Sequence, residues 1–119
     1  MNAKFELFIG QDNQYYFRLL SPTGHNLGYS EGYTAKHNAE NGINSVKVNS
    51  RNLSNFTLIK GTDGYYYFNL KAPQNSEIIL RSSQKYATQD EANIGANHVS
   101  RYAPTATTSD LTNSRSSYA

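Results

Sequence analysis

The residues of this chain best suited to binding chemistry are its tyrosines, five of which crowd into two short runs, "QYYFRLLSP" at residues 14–22 and "GYYYFNLKAP" at 64–73. Rings standing on an open sheet face beside cations stack nucleic-acid bases, whereas rings turned inward form the floor of a core. Arg18, Lys60, Lys71 and Arg81 supply cations near these runs. The other chemistry-bearing groups are His25, His37 and His98, the aspartates Asp12 and Asp63, and the glycines Gly10, Gly61 and Gly64.

Most of this second group reads as structure. No His-x-x-x-His or Glu-x-x-His spacing joins the histidines into a metal or catalytic helix face, so they are expected at the surface. Asp12 and Asp63 sit where an aspartate closes an Asx turn. The glycines are followed by neither a Lys-Ser pair nor a helix, which excludes a phosphate-binding loop. Cysteine is absent, and with it disulfides, thiolate metal sites and cysteine nucleophiles. No nucleophile with its base and no acid pair emerges, so we expect no enzyme activity, no catalytic residue, no metal and no cofactor.

Eleven Lys and Arg against nine Asp and Glu leave a net charge of +2, weak attraction for a polyanion. The chain has neither a basic start followed by an apolar stretch nor an apolar run long enough to span a bilayer, so a soluble, cytoplasmic protein with no membrane partner is expected. Two sequons, at Asn52 and Asn55, matter only in a secretory pathway. A chain of 119 residues buries on the order of 65% of its unfolded surface, enough for a core without staples.

The elements that must position these groups come in two copies. "KFELFIGQDNQYYFRLLSP" lies over "NFTLIKGTDGYYYFNLKAP" at an offset of 51, pairing Phe5 with Phe56, Asp12 with Asp63, Tyr16 with Tyr67 and Pro22 with Pro73. Beyond the prolines the offset becomes 53, pairing Tyr33 with Tyr86, Gly42 with Gly95 and Val46 with Val99. We place that two-residue insertion in a hairpin turn. Two copies suggest a pseudo-twofold pair, since a solenoid needs three or more. Repeat 1 spans 1–50 and repeat 2 spans 51–104, joined through "NSRNLS" at 49–54, and 105–119 reads as a Ser/Thr-rich tail with little to bury.

Each copy reads as three strands and a helix. Phe5 to Leu7 and Tyr15 to Leu19, with their counterparts, alternate apolar and polar residues, the period-two mark of half-buried strands. Asp12-Asn13 and Asp63-Gly64 turn the chain between them. Third strands follow at Asn26–Ser30 and Glu77–Ser82. Helical spacing then links Ala39, Ile43 and Val46, and Ala92, Ala96 and Val99. Thr88-Gln89-Asp90-Glu91 is a capping box, and Thr34 is the expected cap of the first helix. Gly42 and Gly95 lie inside both helices, where glycine costs roughly 1 kcal/mol, so a close approach is expected there.

Alternation sends Tyr15, Phe17 and Leu19, with Tyr66, Phe68 and Leu70, toward the helices, and Tyr16, Arg18, Tyr67, Asn69 and Lys71 toward the other face. Two helices cover one face of a sheet, leaving the second set open. Tyr16, Arg18, Tyr67, Asn69 and Lys71 are therefore the candidate binding residues. The leading expectation is a non-enzymatic interaction module that meets a protein partner by its open face or by an unpaired edge strand. The alternative is weak binding of single-stranded nucleic acid on the outward tyrosines.

The paired "YYFRLLSP" and "YYFNLKAP" segments, with "SEGYTAKHNAENGINSVKVN" and "SSQKYATQDEANIGANHVSRY", resemble the YegP-like family (domain of unknown function 1508) over residues 4 to 102. Copy one is the nearer match, because Asn93-Ile94-Gly95-Ala96 replaces the Asn-Gly-Ile triplet in copy two. The resemblance implies an α+β fold: two β-β-β-α repeats form one shared antiparallel sheet with two helices on one face and exchanged C-terminal strands. Pro104 to Leu111 would supply such a strand at an edge. The family brings no established activity, cofactor or catalytic residue, and a pseudo-dimer within one chain favours a monomer over an obligate oligomer.

Overall fold

Residues 2–112 are described by a computed structural model, in which the chain runs β1 (Lys4–Ile9), β2 (Tyr15–Leu20), β3 (Asn26–Tyr29), α1 (Lys36–Asn49), a 3-10 turn (Leu53–Asn55), β4 (Phe56–Lys60), β5 (Tyr66–Ala72), β6 (Glu77–Arg81), α2 (Gln89–Tyr102), a second 3-10 turn (Ala103–Thr105) and β7 (Thr107–Asp110). One seven-stranded sheet, in the order β4-β5-β6-β3-β2-β1-β7, takes strands from both copies. The fold is α+β, as expected. All neighbours are antiparallel except β7, which runs parallel to β1 and makes the sheet mixed.

That last strand corrects the compositional reading of 105–119 as a tail, as far as Thr112. Residues 113–119 lie outside the described part. The chain leaves α2 through buried Ala103 and Ala106, and Thr107 and Leu111 donate their amides to the carbonyls of Ala3 and Leu7. Lys36 at the start of α1 pairs with Asp110 at 2.5 Å. Composition saw few side chains to bury, but a β-ladder needs backbone groups and only a few anchors.

The core lies between the sheet and the helices. Phe5, Phe17, Leu19, Phe68 and Leu70 are fully buried, and Ala39, Ile43 and Val46 of α1 and Ala92, Ala96 and Val99 of α2 cover them. Each copy stacks three rings: Phe5 edge-on to Phe17 at 5.9 Å with Tyr33 stacked beyond at 6.2 Å, and Phe56 edge-on to Phe68 at 5.9 Å with Tyr86 beyond at 6.3 Å. The helix glycines seat the last ring. A Cβ at Gly42 would stand 2.7 Å from the Tyr33 hydroxyl, and one at Gly95 would overlap the Tyr86 hydroxyl. Close packing of Tyr33 and Tyr86 thus explains why both helices tolerate glycine.

Two expectations need correction. Phe17 donates its amide to Ser30 Oγ, and Phe68 does the same to Ser82, which makes Ser30 and Ser82 equivalent at an offset of 52. The extra two residues of copy two are therefore split, one in the β5–β6 hairpin and one between Ser82 and Tyr86. At α1, the N-cap is Ala35 rather than Thr34, and no side chain caps the helix. At α2, Thr88 Oγ1 accepts the Glu91 amide at 3.1 Å and donates its hydroxyl to Glu91 Oε1 at 3.1 Å, so the capping-box threonine caps the helix. Thr88 is the counterpart of Ala35, so copy one lacks the capping residue itself.

Candidate binding site

Gly-x-Asp recurs at 10–12 and 61–63 because each copy builds the same clasp. Asp12 Oδ1 accepts the Gln14 amide at 3.0 Å and Oδ2 accepts the Tyr16 hydroxyl at 2.5 Å; in copy two Asp63 accepts the Tyr65 amide at 3.0 Å and the Tyr67 hydroxyl at 2.6 Å. Asn13 and Gly64 take the left-handed conformation at the turn. The tyrosine ring lies over the glycine, where a Cβ would come within 2.7 Å of Tyr16 and 2.9 Å of Tyr67. The phenol hydrogen bond and the turn amide hold both carboxyls below their ordinary range, and the carboxylates in return raise the Tyr16 and Tyr67 hydroxyls.

The outer face carries the other candidates. Register aligns Glu6, Arg18, Tyr29, Arg81, Asn69 and Thr57 in one row across the sheet. Arg18 is bound to Glu6 at 2.8 Å and lies over the Phe8 ring, and Tyr29 stands exposed at the centre of the row. Tyr16 is two residues to one side of this row and Tyr67 two residues to the other, because β2 and β5 run in opposite directions. Three strand spacings and four residues of rise put the two rings roughly 20 Å apart. Lys71 lies on β5 beyond Asn69, away from Tyr67. The structure thus brings Arg18 and Asn69 into one row and leaves Tyr16 and Tyr67 at its diagonal corners.

Two equivalent clefts open where the hairpin of one copy meets the helix of the other. The first, about 570 Å³, includes His25 and His98 with Leu27, Tyr86 and Ile94; the second, about 630 Å³, mixes polar Asn38, Asn41, Ser45 and Glu77 with Tyr33, Ala72 and Ile79. No spacing in the sequence joins His25 to His98, and only the packing of copy one's hairpin on α2 brings them to one cleft. His37 is exposed elsewhere, on the first turn of α1. Among the described residues no group of three or more histidines or acids is placed to hold a metal, and no helix is long and apolar enough to cross a membrane.

The edges of the sheet differ. At one, β7 presents Thr and Ser with Asp110. At the other, β4 is more apolar and has no strand beyond it among the described residues. Phe68 accepts the Ser82 amide on its carbonyl and donates its own amide to Ser82 Oγ, so its main chain faces β6. Leu58 lies opposite Phe68, and in an alternating antiparallel ladder its own N–H and C=O must point away from the sheet. Tyr66, bonded in both directions to Tyr86, imposes the same outward orientation on Lys60. Phe56 adds a carbonyl, while its amide closes the 3-10 turn on Leu53. Ile59 is exposed alongside. Sequence reasoning anticipated the kind of feature but not which strand would carry it.

These features define a class: an internally duplicated β-β-β-α pair, joined in one sheet and closed on one side by a strand donated from the second copy to the first. Residues 11–55 and 62–110 match the family described as a domain of unknown function (DUF1508), and the chain belongs to that family. It is similar to the UPF0339 protein YegP of Escherichia coli K12, 38% identical over 112 residues that cover 94% of this chain and 100% of the relative. It is also similar to the UPF0339 protein PA0329 of Pseudomonas aeruginosa, 37% identical over 92% of this chain and 98% of the relative. The solution structure of E. coli YegP, a protein of unknown function, matches with a TM-score of 0.86 over 94% of this chain and 95% of that one, at 38% identity. That of the UPF0339 protein SO3888 from Shewanella oneidensis matches at 0.85 over 95% and 94%, at 34% identity.

Proposed function

We propose that this chain is a non-enzymatic protein-interaction module that meets its partner along the outer edge of β4. The observation that carries the reading is the row of outward main-chain groups at Phe56, Leu58 and Lys60, flanked by exposed Ile59 and Leu53. Such an edge gives affinity through backbone hydrogen bonds and specificity through alternate side chains. Stacking of single-stranded nucleic acid on Tyr16 and Tyr67 has less support. Each ring is bound to a carboxylate, Arg18 is neutralised by Glu6, and the two tyrosines are too far apart to grip neighbouring bases.

Site-specific photo-crosslinking in cells tests the reading, with the reactive residue placed in turn at Ile59, at Tyr29 on the open face and at Val48 on α1. Adducts formed from Ile59 and not from Val48 support the edge. Adducts from Tyr29 alone would move the partner to the sheet face, and none from any position would overturn the proposal.

A further inference from the structure

The chain carries its own template for what an edge of this kind accepts. β1 and β4 are equivalent strands, and β1 is already occupied: β7 runs parallel to it with Thr108 opposite Phe5, Ser109 opposite Glu6 and Asp110 opposite Leu7. Thr107 and Leu111 donate to the outward carbonyls of Ala3 and Leu7. At the offset of 51, Phe5 becomes Phe56, Leu7 becomes Leu58 and Ile9 becomes Lys60. At Phe56 and Leu58 the outward groups of β4 thus repeat those of Phe5 and Leu7 beside β7, whereas the counterpart of Ala3, Ser54, lies in the 3-10 turn. Among the described residues the second slot is open for a topological reason: the chain leaving α2 becomes β7, whereas the chain leaving α1 passes through one 3-10 turn straight into β4. Duplication made two acceptor edges and left one donor strand.

Resting on the reading of β4 as an interaction edge, we infer that β4 receives an extended segment of another protein that runs parallel to it, is rich in serine and threonine, and carries a carboxylate opposite Leu58. Charge supplies the last element. In copy one Asp110 lies opposite Leu7 and is held by Lys36. In copy two the place of Lys36 is taken by Gln89, but Lys60 replaces Ile9 on the same face as Leu58. A carboxylate opposite Leu58 is then a diagonal neighbour of Lys60, about 7–8 Å away along the diagonal and within reach of the long lysine side chain. A second copy pairing β4 to β4 would give Lys60 no such partner, because β4 itself contains no acid.

The probe is the peptide Ala-Thr-Thr-Ser-Asp-Leu-Thr, the sequence of residues 106–112, titrated into the whole isotope-labelled chain and followed by amide NMR shifts. We expect saturable movement of the Leu58 and Lys60 amides in the millimolar range, with the amides of β1 still. Replacing the peptide's aspartate by asparagine, or Lys60→Ala in the protein, should weaken binding about two- to fivefold, the effect of one cross-strand charge pair. Lys60→Pro removes an outward N–H together with the charge while sparing the β5 ladder, and should weaken binding at least as much as Lys60→Ala. Four results would each overturn the inference: no shift at millimolar peptide, shifts at β1 and β7 instead, equal binding of the reversed sequence, or β4 shifts that follow protein concentration alone with a doubled sedimentation mass. If Ile59 crosslinks form in cells while the peptide fails, the edge reading stands and this inference falls. If both fail, the edge reading falls with it.

Discussion

Leu80 occupies the space that a side chain at Gly28 would need: a Cβ at residue 28 would stand 2.8 Å from Leu80 Cγ and 2.8 Å from the Arg81 carbonyl oxygen. The two residues are equivalents, since Gly28 pairs with Leu19 as Leu80 pairs with Leu70. They meet where β3 crosses to β6, at the pseudo-twofold axis, and two leucines would collide there. Gly28→Leu should therefore destabilise by about 1–3 kcal/mol through overpacking, and Leu80→Ala by about 2–5 kcal/mol through a cavity. Urea midpoints of the singles and of Gly28→Leu/Leu80→Gly test the relationship. The double variant should recover part of the loss, and a purely additive result would refute it.

The floor rings should be unequal in their effects. Phe17→Ala and Phe68→Ala remove fully buried rings and should each destabilise by roughly 3–5 kcal/mol, whereas Phe56→Ala, at the half-buried β4 edge, should lose less. Denaturant titration in which Phe56→Ala matched or exceeded Phe68→Ala would show that the β4 edge is covered in solution.

The Asp–Tyr clasps set a pH window. Asp12 and Asp63 titrate below their ordinary value of 3.8, so their contribution is present above it and fades as pH falls through the lowered folded value. Tyr16 and Tyr67 titrate above 10.0, so theirs is present below 10.0 and fades as pH rises through the raised value. Carboxyl NMR titration should place Asp63 below 3.8 in the natural chain and higher in Tyr67→Phe. An unmoved midpoint would mean that the turn amide alone sets it.

The two helix starts should respond oppositely to the same chemistry. Thr88→Ala removes a side-chain cap and should lower stability by about 1 kcal/mol; Ala35→Thr supplies one to α1 and should raise it by about 0.5–1 kcal/mol. Thermal unfolding would contradict the assignment if Thr34→Ala were as damaging as Thr88→Ala.

Much was legible in the residues alone, and for local reasons. Duplication, strand alternation and helix faces depend on spacing along the chain, so the inward set from Phe5 to Leu70 and the packed helix residues Ala39, Ile43 and Val46 fell where the pattern put them. Copy two's capping box was visible because it involves residues three apart. Copy one's cap was misplaced at Thr34 because a single threonine, without its Glu partner, does not mark the register of the first turn. Neither the shared cleft of His25 and His98 nor the diagonal separation of Tyr16 and Tyr67 has any local signal.

From the sequence by itself came the class of the six strands and two helices of the repeats, the face each ring takes and the family to which the chain belongs, because periodicity and repetition record which side of an element is buried. Tertiary structure alone decided the order of strands, the parallel seat of β7 on β1 and the open edge of β4. Those depend on which strand the chain reaches after each helix, and on hydrogen bonds between residues about a hundred positions apart, such as Thr107 to Ala3. A strand carries the same residues whether its outer edge is filled or bare, and the pairing that settles this is made elsewhere in the chain.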